Sequence, residues 1–165
     1  MLLNSNQIAN HVIESDFSKR AQIGIDLSVC KIERIDVGSV VYKDKTHIDS
    51  TGYHELPTQL IDGKECWRLE KGVYSVTFNE GIKVPADAAA KITHRSSLYR
   101  TGTIIESPWW DPGFYCDQMN TTMIVTSIII IEKNARIGQI AFWKVDEVGE
   151  QYDGQWQGLN TAYKK

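Results

Sequence analysis

The chain predicts a mainly β fold, a sandwich or a barrel closed on itself. Three observations carry that expectation. Short, loosely alternating apolar runs recur along the length, Gly and Asp turn signals separate them, and one brief helical stripe stands alone with no helix–strand repeat. At 165 residues, with 42% apolar and 24% charged side chains, the chain is long enough for one domain with a real core.

Taken in order, Asn4 or Ser5 caps a short helix over 6–15 whose stripe is Ile8, Ala9, Val12 and Ile13. Residues 14–20 are polar and read as a turn. Next comes a half-buried strand over 21–35, with Ile23, Ile25, Leu27 and Val29 on one face and Gln22, Gly24, Asp26 and Ser28 on the other. Residues 37–61 carry Gly38, Gly52 and Pro57 among polar groups, which predicts short strands and a long adaptable loop. The Asp62-Gly63 turn introduces two strands, 66–69 and 72–78, and a second turn follows at 79–81. Residues 86–93 suit a helix by alanine content, but Pro85 and the His94-Arg95-Ser96-Ser97 segment leave too little room for one, so a strand is expected. Residues 96–102 fit one or two helical turns with Leu98 buried. Residues 118–131 read as two antiparallel strands or one bent one, in which Thr121 and Thr122 suit a sheet. Residues 137–145 are the cleanest late strand. Beyond Glu147 the chain is polar and glycine-rich, yet Tyr152 and Trp156 suggest docking on a partner or a ligand.

Charge and cysteine usage exclude several classes of function. A formal charge of -3 and a pI of about 5.8 argue against a partner that is a nucleic-acid polymer. Cys30, Cys66 and Cys116 lie far apart and read as buried thiols in a reducing compartment, and the four histidines form no metal-binding motif. No secretory leader is evident at the start, and the most apolar run, 123–131, is too short to cross a bilayer. A cytoplasmic location without membrane contact is expected, in the host cytoplasm if the chain is viral.

Chemistry concentrates in 94–117. Arg95 and Arg100 offer rigid forks of donors for carboxylate or phosphate, with Ser96 and Ser97 between them. Asp111 is a candidate general base within Asp-Pro-Gly, flanked by Trp109, Trp110, Phe114 and Tyr115, which offer walls for a flat ligand. The blander alternative is a turn between strands with arginines paired at the surface. Asp26 is likewise either a solvated acid or a site carboxylate. Trp109 and Trp110 are expected to pack rather than react, and His94 to be structural.

These residues resemble the superfamily of trimeric dUTP pyrophosphatases and dCTP deaminases, closer to the deaminase branch. Leu3 to Ile8 is similar to that branch's opening helix, and Ala21 to Val29 to its first site strand. Arg95 to Gly102 is similar to the Arg-Ser-Ser-Leu-x-Arg-x-Gly motif, and Trp110 to Phe114 to the Asp-Pro-Gly motif. Ala135 to Phe142 and Tyr152 to Gly158 resemble the late strand and the mobile tail. The resemblance implies a distorted β jelly roll of the dUTPase-like, β-clip type, with a short N-terminal helix. It also implies a homotrimer with sites at subunit boundaries, a domain over 1–147, and a tail over 148–165 that closes over a site.

Carried onto this chain, Arg95, Ser96 and Ser97 would face a triphosphate, and Arg100 would be a site arginine. Asp111 would orient the attacking water, and Phe114 would lie beside the sugar. Asp26 would help hold Mg2+ through water. Gln139, Asn120, Thr121, Tyr152 and Trp156 complete the expected binding set, and Asp111, Arg100 and Ser96 the catalytic one. Arg136 is expected on the interface or the phosphate side.

Departures from the pattern matter as much. The deaminases' proton-moving glutamate falls at Thr121, and no acid occurs between Asp117 and Glu132. A threonine hydroxyl cannot replace a poised carboxylate as general base. Tyr115-Cys116 replaces a small residue and glycine, and Gln155-Trp156 replaces Lys-Tyr in the tail. The expectation is therefore a deoxypyrimidine nucleoside triphosphate hydrolase that converts dUTP to dUMP and pyrophosphate. The alternatives are a deaminase with a displaced acid such as Glu106 or Asp117, and a catalytically inactive nucleotide-binding trimer.

Overall fold

The computed structural model describes residues 1–36, 38–43, 46–48, 50–146, 150–154 and 156–158. Six strands form the body: β1 (Ile25–Ile35), β2 (Gly72–Phe78), β3 (Ala88–His94), β4 (Thr103–Glu106), β5 (Asn120–Val125) and β6 (Arg136–Lys144). They pair antiparallel in the order β1-β2-β5-β4-β3-β6, and β6 pairs back onto β1, which closes the sheet into a barrel. Closure depends on the length of β1. Residues 25–28 pair with β6 and residues 29–34 with β2, with a register shift between Val29 and Lys31 where the strand changes partner.

Cross-strand partners followed from Asp26 through Gln139, Thr93, Glu106, Thr122 and Ser75 lead back to β1 at Glu33, seven residues farther along. Such a stagger is what strand tilt in a closed barrel requires. This row of mostly polar residues alternates with the fully buried Leu27, Val76, Ile92, Ile105, Met123 and Ile140, so the period-2 pattern becomes a filled interior. Gly138 permits close packing there, since a Cβ would lie 3.0 Å from the Phe78 ring. The architecture is all-β, a barrel of jelly-roll type with a short N-terminal helix. Among the described residues, no helix is long and apolar enough to cross a membrane.

Several expectations need correction. The N-terminal helix is α1 (Ser5–Ile8), followed by a 3-10 turn over Ala9–His11 rather than a helix to residue 15. A capping box of Asn4 and Gln7 starts it, and the β-branched Val12–Ile13 then pairs with Gly81 and Ile82. Ile23 is about half exposed because β1 begins only at Ile25. Residues 118–131 do hold two strands, but in different sheets: β5 joins the barrel, and Ile129–Glu132 pairs with Lys64–Leu69. Trp110 packs in the core as expected, and Trp109, though half exposed, packs edge-on against Trp143 at 4.9 Å. The proposed boundary between domain and tail, at 147–148, lies outside the described residues.

Asp26 is no solvated acid. It is 3% exposed, and Ser28 beside it is fully buried. The turn at 79–81 contributes Glu80, also fully buried, whose carboxylate accepts from the Ser28 N–H at 2.9 Å, the Ser28 hydroxyl at 2.7 Å and the Ser15 hydroxyl at 2.5 Å. These bonds tie the β2 turn to β1 and to the N-terminal segment.

Candidate active site

The motif residues separate into two groups within one chain. The first surrounds the end of β3. Arg95 leaves that strand as the residue before α2 (Ser96–Tyr99), its N–H bonded to the Ile137 carbonyl. Its Nε lies 3.0 Å from Asp26 Oδ2, and its Nη1 donates to the Arg136 carbonyl at 3.0 Å. The Arg136 Nε is 3.9 Å from the same carboxylate oxygen, and Gln139 Nε2 donates to Asp26 Oδ1 at 3.2 Å. Asp26 thus gathers Arg95, Arg136 and Gln139 from β3 and β6. Ser96, Ser97 and Arg100 are exposed beside them. Ser96 and Arg100 line an open depression with Tyr99, Gly102, Ile104 and Thr126. The Tyr99 ring stacks on His94 at 5.2 Å, and His94 Nδ1 lies 3.3 Å from the Ile105 carbonyl oxygen.

The second group is the Asp-Pro-Gly turn. Trp110 bridges to Ala90, five residues before Arg95, so about 16 Å of strand separates the turn from the arginine cluster. Asp111 is exposed, and its carboxylate has no hydrogen bond or ion pair with a described residue. Gly113 has φ +84 and closes the turn in a conformation suited to glycine. Phe114 lies between Trp110 at 5.6 Å and Tyr152 at 5.4 Å.

Described tail residues dock on this same turn in their own chain. The Tyr152 N–H bonds to the Pro112 carbonyl, Gln157 Nε2 donates to the Gly113 carbonyl, and Gln157 Oε1 accepts from the Tyr115 N–H. The Gly158 N–H reaches the Tyr115 carbonyl, and the Trp156 N–H donates to the Tyr152 hydroxyl. Gln155 lies outside the described residues.

The remaining candidates lie on β5. Asn120 directs its amide to the Ser75 and Thr77 hydroxyls at 2.8 and 3.1 Å. Thr121 is buried, and its hydroxyl donates to the Glu106 carbonyl at 2.6 Å. The two acids suggested as displaced proton carriers have partners already: Glu106 pairs with Lys91, and Asp117 accepts from the Tyr115 hydroxyl. That bond raises the Tyr115 hydroxyl's pKa. Cys116 is chemically quiet, because burial pushes its thiol up to about 12.

Asp26 does not fit a metal ligand in this arrangement. Both of its oxygens are engaged by protein donors or guanidinia, and two arginines against one carboxylate leave the cluster net positive. Among the described residues, no group of three His, Cys, Asp or Glu is placed to hold a metal ion. Sequence reasoning left Arg136 between the interface and the phosphate side and read Glu80 only as part of a turn. A hint existed for Arg136 in the alternation of 135–142, but its partner lies more than a hundred residues earlier.

Comparison with known proteins places this geometry. The model of the dCTP deaminase-like family matches residues 4–145. A probable deoxyuridine 5'-triphosphate nucleotidohydrolase of Methanosarcina acetivorans is 32% identical over 97% of this chain and 98% of its own length. The deoxyuridine 5'-triphosphate nucleotidohydrolase of Methanocaldococcus jannaschii is 33% identical over 96% of this chain and 99% of its own. Among solved structures, the 2'-deoxycytidine 5'-triphosphate deaminase of Agrobacterium tumefaciens superposes with a TM-score of 0.63 at 18% identity, covering 86% of this chain. This chain spans only 47% of that protein's length. The EIAV dUTPase superposes with a TM-score of 0.52 at 14% identity, covering 94% of this chain and 98% of its own. The similarity thus runs to both branches of one superfamily, whose chemistry is nucleotide hydrolysis and deamination, and the chain belongs to the dCTP deaminase-like family.

Proposed function

We infer that the protein is a deoxypyrimidine nucleoside triphosphate hydrolase that converts dUTP to dUMP and pyrophosphate. The observation that carries this reading is the contrast among its acids. Asp111 is exposed and unpartnered among the described residues, whereas Glu106 and Asp117 are engaged and Thr121 stands where a deaminase needs a carboxylate. In the proposed reaction, Asp111 accepts a proton from a water that attacks the α-phosphorus. The bond from that phosphorus to its bridging oxygen breaks, and pyrophosphate leaves. Arg95, Arg100, Ser96 and Ser97 hold the phosphates, and Phe114 walls the sugar. Backbone of β5 is paired on both sides over Thr122–Val125 but on one side only at Asn120 and Thr121, whose unpaired backbone edge is assigned to the base. Magnesium belongs to this proposal as a companion of the triphosphate and would supply charge neutralisation there.

One chain cannot bring Asp111 to the arginine cluster, so the reading requires a homotrimer in which a neighbour supplies the Asp-Pro-Gly turn. Supporting this, Val73, Ile124 and Ile104 are cross-strand partners on the barrel exterior and remain 41%, 45% and 37% exposed, beside the Arg100 depression. A cytoplasmic location goes with the same reading.

Deamination of dCTP is the second reading. Family match and fold likeness favour it over the first, while the residues present favour hydrolysis. A panel of deoxynucleotides with magnesium, with products resolved by chromatography and ammonia assayed, separates the two. Pyrophosphate from dUTP without ammonia is expected, with Asp111→Asn about a thousandfold slower. Ammonia from dCTP would transfer the assignment to the deaminase, and tight binding with neither product would leave a binding-only trimer.

A further inference from the structure

We propose that Asp26 is a positioning residue that sets the phosphate-binding arginines, rather than a group that anchors magnesium. The inference deepens the reading above and rests on its assignment of Arg95 to phosphate. Asp26 sits near the start of β1, where that strand pairs with β6, so its carboxylate reaches arginines from two other elements. Three contacts define its role: Arg95 Nε at 3.0 Å and Arg136 Nε at 3.9 Å on Oδ2, and the Gln139 amide at 3.2 Å on Oδ1.

Arg95 is held twice, by this carboxylate and by the Arg136 carbonyl, and its Nη2 has no partner among the described residues. A guanidinium fixed along one side, with donors left over, is preorganised for an anion and loses less freedom when one arrives. A side-chain amide and two guanidinia also leave little room for a hydrated cation. Magnesium keeps its waters and seeks oxygen ligands, and it would meet net positive charge here.

Arginine positioning and metal anchoring predict different behaviour without metal. Tripolyphosphate is the probe, titrated calorimetrically in EDTA into the full-length wild type, Asp26→Asn, Arg95→Gln and the double variant, each checked for folding by circular dichroism. Removing a negative charge by itself would tighten anion binding, so a weakening reports lost geometry. We expect Asp26→Asn to weaken binding by about fivefold or more, and that change to vanish in the Arg95→Gln background. In turnover assays, the magnesium concentration giving half-maximal rate should stay unchanged in Asp26→Asn. Unchanged or tighter metal-free binding overturns the proposal, as does absent binding by the wild type or a raised magnesium requirement. If Asp26→Asn does not fold, Gln139→Met removes only the Oδ1 donor and serves the same cycle. A wild type that binds tripolyphosphate but turns over no nucleotide sinks the hydrolase reading and leaves this inference standing.

Discussion

Surroundings distinguish the two aspartates that the motifs single out. Asp26 is buried against two guanidinia and serves to hold them, whereas Asp111 is exposed and has no hydrogen bond or ion pair with a described residue. Both were legible as candidates because each lies in a short local pattern. Their different tasks were not, because the arginines on Asp26 come from residues 95 and 136. Alternation on β1 put Asp26 opposite the apolar face, but its burial depends on Arg95 just past β3 and on Arg136 and Gln139 of β6. Cys116 offers a test at the same scale. Its folded pKa of about 12 lies above the unfolded value of 9.0, so the folded state holds the proton more tightly. The stabilising contribution is complete below the unfolded value and is lost as pH rises towards 12. By about pH 10 the loss should exceed about 1 kcal/mol. Urea unfolding of wild type against Cys116→Ala, at about pH 8 and about pH 10, measures it, and an equal pH dependence in both proteins would refute it.

Tail and turn form one unit at the scale of elements. Tyr152 and Trp156 were odd enough in sequence to suggest docking, but their target was not legible. Gly113 opens the turn to the tail: its φ of +84 is one that L side chains rarely adopt, and the Gln151 side chain lies 3.0 Å from where a Cβ would sit. Gln157 then bonds both to the Gly113 carbonyl and to the Tyr115 N–H. Replacing Gln157 by Ala removes both bonds and should cost about 1–2 kcal/mol locally. Hydrogen exchange at the Tyr115 amide should accelerate by about tenfold, with barrel amides such as Ile92 unaffected. No acceleration would mean that the tail does not stay docked in solution. The N-terminal helix shows the opposite case. Its start was readable in the choice of Asn4 or Ser5 as cap, and the structure selects Asn4, but its early end was set by strand pairing of Val12 and Ile13 with residues 81 and 82.

For the whole molecule, the governing fact is the separation of Asp111 from the arginines along β3. If a neighbour completes each site, two inactive variants complement each other when mixed. Asp111→Asn and Arg95→Gln proteins, co-refolded in equal amounts, should regain about a quarter of wild-type turnover, since a site is intact only when one subunit gives a good turn and the next a good arginine. A mixture no more active than its parts would rule out a shared site. The exposed ridge of Val73, Ile124 and Ile104 is the surface such a neighbour would cover.

Residue spacing by itself determined the class of the fold, many of its turns and the short list of candidate site residues. These follow from period-2 alternation, turn chemistry and short motifs, all of which act within a few residues. Tertiary structure alone decided that the barrel closes through the two halves of β1, that Asp26 is gathered with Arg95, Arg136 and Gln139, and that Asp111 lies apart from them. Those outcomes depend on strand stagger and on contacts between segments far apart in the chain, which no local pattern encodes.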